Sequence, residues 1–208
     1  NYVKPELPNV AASVINYMGY DVQTIGNHDI ETGHNVYDKW IKEVKCPMLA
    51  ANIISKDTEK PYLKPYYIIN RDGIKIAIIG MITPAIPNWL NDEYEEDASL
   101  RIAKEVPGFD LILYGHDHKK HIETIKNKDG HDVLCMDPSS NAYFICDAEI
   151  DVTINNGQII NKQIKGSLKD VRNLPVDTAF MEYFKDEIDS INNYVNKKIG
   201  TFKNSIYT

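Results

Sequence analysis

Apolar positions along the chain follow two periods, and the change from one to the other marks its organisation. Val10, Val14, Ile15 and Met18 recur at helical spacing, with Asn9 placed to cap them and Gly19 to stop them, which predicts a helix from Asn9 to about Met18. A strand-like run from Asp21 to Ile25 follows, then a Gly26 loop. Val36, Trp40, Ile41 and Val44 predict a second helix over Asn35 to Val44, and Met48 to Ala51 reads as a short buried strand. Tyr66 to Asn70 and Ile74 to Gly80 are β-rich on either side of Arg71-Asp72-Gly73, the signature of a hairpin. A helix starting at Asp97 ends before Pro107-Gly108 and leads to a strand over Asp110 to Tyr114. Strands then follow one another: His121 to Lys126, Asp132 to Met136, Tyr143 to Ile154 and Gln158 to Lys165, with turns at 127–130 and at Asn156-Gly157. Phe180, Tyr183, Phe184, Ile188, Ile191 and Val195 form one stripe of a final helix from Asp177 to about Lys197. Alternating strands and helices followed by a run of strands predict an α/β fold of two sheets flanked by helices, one sheet mixed and the other mostly antiparallel.

Two stretches stand at the ends of strand-like runs and carry the candidate chemistry. Gly26-Asn27-His28-Asp29 follows the first, and Gly115-His116-Asp117-His118 follows the strand ending at Tyr114. In open α/β sheets, ligands bind beyond the carboxyl ends of strands, so two such clusters can converge on one site. Imidazole nitrogen with amide or carboxylate oxygen is a donor set for first-row transition metals. On an extended loop His116 and His118 face the same way, while Asn27 and His28, being neighbours, must diverge.

Composition narrows the partners. The 208 residues are 43% hydrophobic, enough for one sizeable core, and the formal net charge of −7 lacks the basic footprint of a nucleic-acid binder. No apolar run approaches a membrane span. The three cysteines, Cys46, Cys135 and Cys146, show no metal spacing; Cys135 and Cys146 lie on neighbouring runs and can pair, but free thiols are the expectation.

Gly-Asn-His-Asp followed far downstream by Gly-His-x-His resembles the calcineurin-like metallophosphoesterases, and within them the 5′-nucleotidase and 2′,3′-cyclic-nucleotide phosphodiesterase branch. Ala51-Asn52-Ile53, the run Ile74 to Gly80, and Pro107-Gly108-Phe109-Asp110 add to the likeness, which spans about Val10 to Lys165. The resemblance implies a four-layer α/β/β/α sandwich and two divalent ions, Mn, Zn or Fe, bridged by a hydroxide that attacks phosphorus. Carried over, Asn27 and His116 bind one ion and His118 the other, while His28 sits beside the phosphate as the catalytic group. Glu31 falls where a family carboxylate orients that histidine, with Asp29 the weaker candidate. The substrate implied is a nucleoside monophosphate or a 2′,3′-cyclic nucleotide, the cyclic ester preferred. A sugar-nucleotide hydrolase and a non-catalytic nucleotide- or partner-binding member are the alternatives. The family's habit implies a periplasmic or cell-surface location.

The same resemblance makes gaps visible. The family's opening Asp-x-His and Gly-Asp, and an internal histidine expected between Trp89 and Asp110, are not in the chain. The expectation is that Leu90 and Asn91 are not bonded neighbours, with Cα atoms farther apart than the ~3.8 Å of a trans peptide. The domain reading is a metallophosphoesterase domain over 1–165, lacking its N-terminal part and a segment near 90–91. Residues 166–208 then form a linker and long helix leading to an absent C-terminal nucleotide-binding domain. Secondary candidates complete the reading. His34 is close enough to line the site, and Ser139-Ser140-Asn141 lies where a loop can reach phosphate. Trp89 and the tyrosines at 62, 66 and 67 are read as packing, His121 and His131 as solvated or capping residues, and Asp92 to Asp97 as a solvated lead-in to a helix.

Overall fold

The computed structural model describes residues 6–83 and 98–200. Trp89, the Leu90–Asn91 junction, the acidic run from Asp92 to Asp97 and Tyr207 lie outside the described residues.

The chain forms two compact units, the first running to Arg172 and the second from Asn173. The first opens with α1, Val10–Met18. Its Asn9 side chain accepts the Ala12 N–H, and Gly19, at φ 71°, takes the left-handed stop that its lack of a Cβ makes favourable. Strands β1 (Gln23–Thr24) and β2 (Met48–Leu49) pair in parallel around the helices α2 (Asn27–Ile30) and α3 (His34–Glu43). Ala12, Ile25, Trp40, Met48, Ala50 and Ile82 close the core between these helices and strands. Both strands are shorter than their apolar runs: Ile25 still donates to the Leu49 carbonyl, but the Ala50 N–H turns to the Lys64 carbonyl instead of extending the ladder.

The hairpin forms as its sequence predicts, with β3 (Tyr66–Arg71) and β4 (Ile74–Ile79) in antiparallel register. Asp72 and Gly73 both have positive φ, the backbone of a two-residue turn whose twist matches its strands. At the far end of β4 the Ala51 N–H donates to the Gly80 carbonyl at 2.7 Å and joins β4 to the end of β2.

Helix α4 (Ala98–Glu105) precedes β5 (Leu111–Leu113), β6 (Lys120–Lys126) and β7 (Asp132–Pro138). These strands form one mixed sheet in the order β5-β7-β6, with β5 parallel and β6 antiparallel to β7. Ala103, Ile125, Val133 and Cys135 make its core against α4. The last strands, β8 (Phe144–Asn155) and β9 (Gln158–Asp170), form a long hairpin closed by Asn156-Gly157. It packs on β7 so closely that a Cβ on Gly166 would stand 2.6 Å from Met136 Sδ. Strand β9 outlasts the run read from Gln158 to Lys165, and with it the first unit extends to Arg172. The three cysteines are free thiols.

In the second unit the single helix expected over 177–197 is two: α5 (Thr178–Tyr183) and α6 (Lys185–Val195). The break is at Phe184, whose φ of −101° and ψ of 20° leave the helical basin. There the rings of Phe180 and Tyr183 lie 4.8 and 4.9 Å from that of Phe184. Asp177 caps α5 as its position predicts, accepting the Ala179 and Phe180 N–H groups.

Candidate functional site

The first cluster leaves the carboxyl end of β1. The Thr24 hydroxyl and the Ile25 N–H both donate to the Leu49 carbonyl, so the point where the chain leaves the sheet is fixed. From there the backbone makes one helical turn rather than the expected loop. The Asp29 carboxylate accepts the Gly26 N–H at 2.7 Å and so closes the turn. Glu31 contacts His28, with its Oε1 3.0 Å from Nδ1. The turn also separates the neighbours. The Asn27 amide is buried at Nδ2, whereas the His28 side chain is 74% exposed.

The second cluster leaves the carboxyl end of β5. It is not extended, so the alternation that would aim His116 and His118 together does not apply. Both residues have left-handed backbone, at φ 90° and 61°. Neither imidazole is engaged by another side chain among the described residues. Asp117 between them reaches back to β7, where its carboxyl is hydrogen-bonded to the side chain of Asp137. Asp137 is fully buried. Burial pushes Asp117 up, but hydrogen bonds from Asp137 and from the Lys119 N–H outweigh it and hold the carboxyl below its usual range.

Asn27, His116 and His118 supply uncommitted groups of the types that hold first-row divalent ions. The Asn27 amide makes no hydrogen bond at its buried Nδ2, and half a turn of the amide exchanges that atom for Oδ1. The donor chemistry therefore fits a metal. The set is short of a full coordination sphere, since no three His, Cys, Asp or Glu side chains gather as a metal site among the described residues.

Beside the first cluster stands a group that the sequence pattern did not single out. Tyr62 is not a strand residue; its hydroxyl donates to Asp38, and its ring meets those of His34 and Tyr37 at centroid distances of 6.4 Å. The Tyr37 hydroxyl lies 2.6 Å from His34 Nδ1, so His34 is occupied within this group. Burial pushes Asp38 up, but the Tyr62 and His34 hydrogen bonds hold it below the usual carboxylate range, while burial and that carboxylate raise the Tyr62 phenol. The i, i+3 and i, i+4 spacing of His34, Tyr37 and Asp38 carried the signal; Tyr62, distant in sequence, did not. His121 pairs with Glu123, and the His131 N–H caps onto Asn127.

No family model matches the chain. Curated relatives do. The chain is 34% identical over 117 residues to a 5′-nucleotidase of Vibrio cholerae, covering 56% of this chain and 19% of that protein. It is 36% identical over 90 residues to a 2′,3′-cyclic-nucleotide 2′-phosphodiesterase/3′-nucleotidase of Haemophilus influenzae, covering 39% of this chain and 14% of the other. Among solved structures, a 5′-nucleotidase precursor from Thermus thermophilus superposes with a TM-score of 0.71 at 17% identity, over 91% of this chain and 47% of that one. A calcineurin-like phosphoesterase from Bacillus subtilis superposes with a TM-score of 0.66 at 18% identity, over 89% and 75%.

The fold is that of the calcineurin-like phosphoesterases. Within that class the aligned stretches of sequence are similar to 5′-nucleotidases and to a 2′,3′-cyclic-nucleotide 2′-phosphodiesterase/3′-nucleotidase. The aligned stretches span less than a fifth of those curated relatives.

Proposed function

We propose that this chain carries part of the catalytic site of a nucleotide phosphoesterase that hydrolyses 2′,3′-cyclic nucleotides or nucleoside monophosphates. The observation that carries the reading is the His28–Glu31 pair on the turn after β1, beside an Asn27 amide with an unused buried end. Asn27 and His116 would hold one divalent ion and His118 a second, with residues outside this set completing both. Such ions supply Lewis acidity toward the phosphoryl oxygens and lower the pKa of water. The exposed imidazole of His28 faces the solvent that a phosphate ester would displace. Its Nδ1 is held by Glu31, and Nε2 is the atom that would stabilise the phosphoryl oxygens or protonate the leaving oxygen. Relatives named as nucleotidases and as a cyclic-nucleotide phosphodiesterase support the substrate class. The resemblance also supports a place outside the cytoplasm, and no helix among the described residues is long and apolar enough to cross a membrane.

The test is metal content together with turnover of bis-p-nitrophenyl phosphate by the intact protein, followed by a panel of cyclic nucleotides, 5′-nucleotides and sugar nucleotides. Bound transition metal with turnover is expected. A metal-free, inactive intact protein overturns the enzyme reading and leaves a non-catalytic binding member.

A further inference from the structure

We propose that Ser139, anchored by Asp137, is a positioning residue that fixes the His116–His118 loop at the edge where the metal would bind. The inference rests on the metal-site reading above. Strands β5 and β7 are parallel, so their carboxyl ends lie at one edge, and the segment after each emerges beside the other. The histidine loop follows β5, and Ser139 follows β7. Left-handed backbone at non-glycine residues is unfavourable and persists only where the surroundings over-determine it. His116 and His118 both have it, and so does Ser139 at φ 69°.

The surroundings are specific. The Ser139 hydroxyl donates to the His118 carbonyl at 3.0 Å. The Ser139 N–H in turn donates to Asp137 Oδ1 at 2.8 Å, which fixes the serine on the buried end of β7. The same Asp137 side chain holds Asp117 from within the histidine loop. One fully buried carboxyl therefore anchors the loop at two points, at Asp117 directly and at His118 through Ser139. Outer partners of this kind orient metal ligands, and their loss typically costs roughly 10- to 100-fold in metal affinity.

Ser139→Ala removes one hydroxyl from a half-exposed position and leaves the buried Asp137 in place, so the fold is not at stake. In the metal-free intact protein, hydrogen exchange of the amides at 116–119 is expected to accelerate about tenfold. Mn²⁺ affinity, read by calorimetry, is expected to fall by about tenfold or more. In a His118→Ala background Ser139→Ala has no further effect on Mn²⁺ affinity. Unchanged exchange overturns the proposal. So does Mn²⁺ affinity within twofold of the parent in Ser139→Ala while His118→Ala weakens it. If neither His116→Ala nor His118→Ala alters Mn²⁺ binding, the metal reading itself fails; exchange then still decides whether Ser139 fixes the loop.

Discussion

The Asn52 side chain closes both backbone groups of Ile82, donating from Nδ2 to the carbonyl at 2.7 Å and accepting the N–H at Oδ1 at 3.0 Å. One amide thus imitates a strand and adds a rung between the chain after β2 and the chain after β4. It works with the Ala51 to Gly80 hydrogen bond to fix the edge from which Gly26 and Asn27 depart. Asn52→Ala should cost about 1–2 kcal/mol, since both Ile82 groups lose a partner. Asn52→Asp should be at least as damaging at neutral pH, because it keeps the acceptor for the N–H but sets a carboxylate oxygen against the Ile82 carbonyl. Urea denaturation of the two variants checks the order, and a harmless Asn52→Asp would show that the donor half of the pair is idle.

Two glycines that look equivalent in sequence should respond oppositely to alanine. A Cβ on Gly80 would collide with Leu49, standing 2.8 Å from its carbonyl oxygen. The backbone there cannot retreat without breaking the Ala51 hydrogen bond, so Gly80→Ala should destabilise by about 2–3 kcal/mol or prevent folding. Gly115, the first residue of the histidine motif, has open space where a Cβ would go and no positive φ. Gly115→Ala should stay within about 0.5 kcal/mol of the parent. Thermal unfolding of the pair measures the contrast.

That contrast shows what the sequence made legible. Turn and cap chemistry was readable because it is local: Asn9 and Gly19 bound α1, Asp72-Gly73 turns the hairpin and Asp177 caps α5. The His28–Glu31 pairing came from the family resemblance and not from spacing, because the helical turn that brings the two together stands where a loop was expected. The left-handed backbone of the histidine loop was not, because it depends on Asp137 and Ser139, about twenty residues farther along the chain. Tyr62 stands close in sequence to the strand residues at 66 and 67, whereas its partner Asp38 lies on α3, a relation no local pattern carries. The break at Phe184 was hidden by a helical stripe that continues through it.

The joint between α1 and α3 should make stability depend on acid. The Glu43 carboxylate is held below its usual range first by the hydrogen bond from Lys39 and then by the Asn9 N–H at 2.6 Å. A group whose pKa is lower folded than unfolded stabilises above the unfolded value, and that contribution fades as pH falls through the folded one. Glu43→Gln should therefore cost about 1 kcal/mol near pH 7, with the difference from the parent shrinking as pH drops below about 4. Chemical denaturation across that range checks the sign. A gap that widens toward low pH would mean the carboxylate is not what ties the helices.

The sharpest separation of roles concerns the turn after β1. His28 exposes 74% of its side chain, and Glu31 touches its Nδ1 from one turn farther on, so the two should differ in what they cost the reaction rather than the fold. His28→Ala removes the group that meets the phosphate and should lower kcat by about 10²- to 10⁴-fold. Glu31→Gln keeps a neutral acceptor at the same reach but no charge to stabilise a protonated imidazole, and should lower kcat by about 10-fold with KM little changed. Both side chains are largely in solvent, so neither variant should shift unfolding by more than about 0.5 kcal/mol. Steady-state kinetics of both variants on bis-p-nitrophenyl phosphate decides the assignment. A kcat unchanged in Glu31→Gln while His28→Ala is impaired would show that Glu31 does not act through His28.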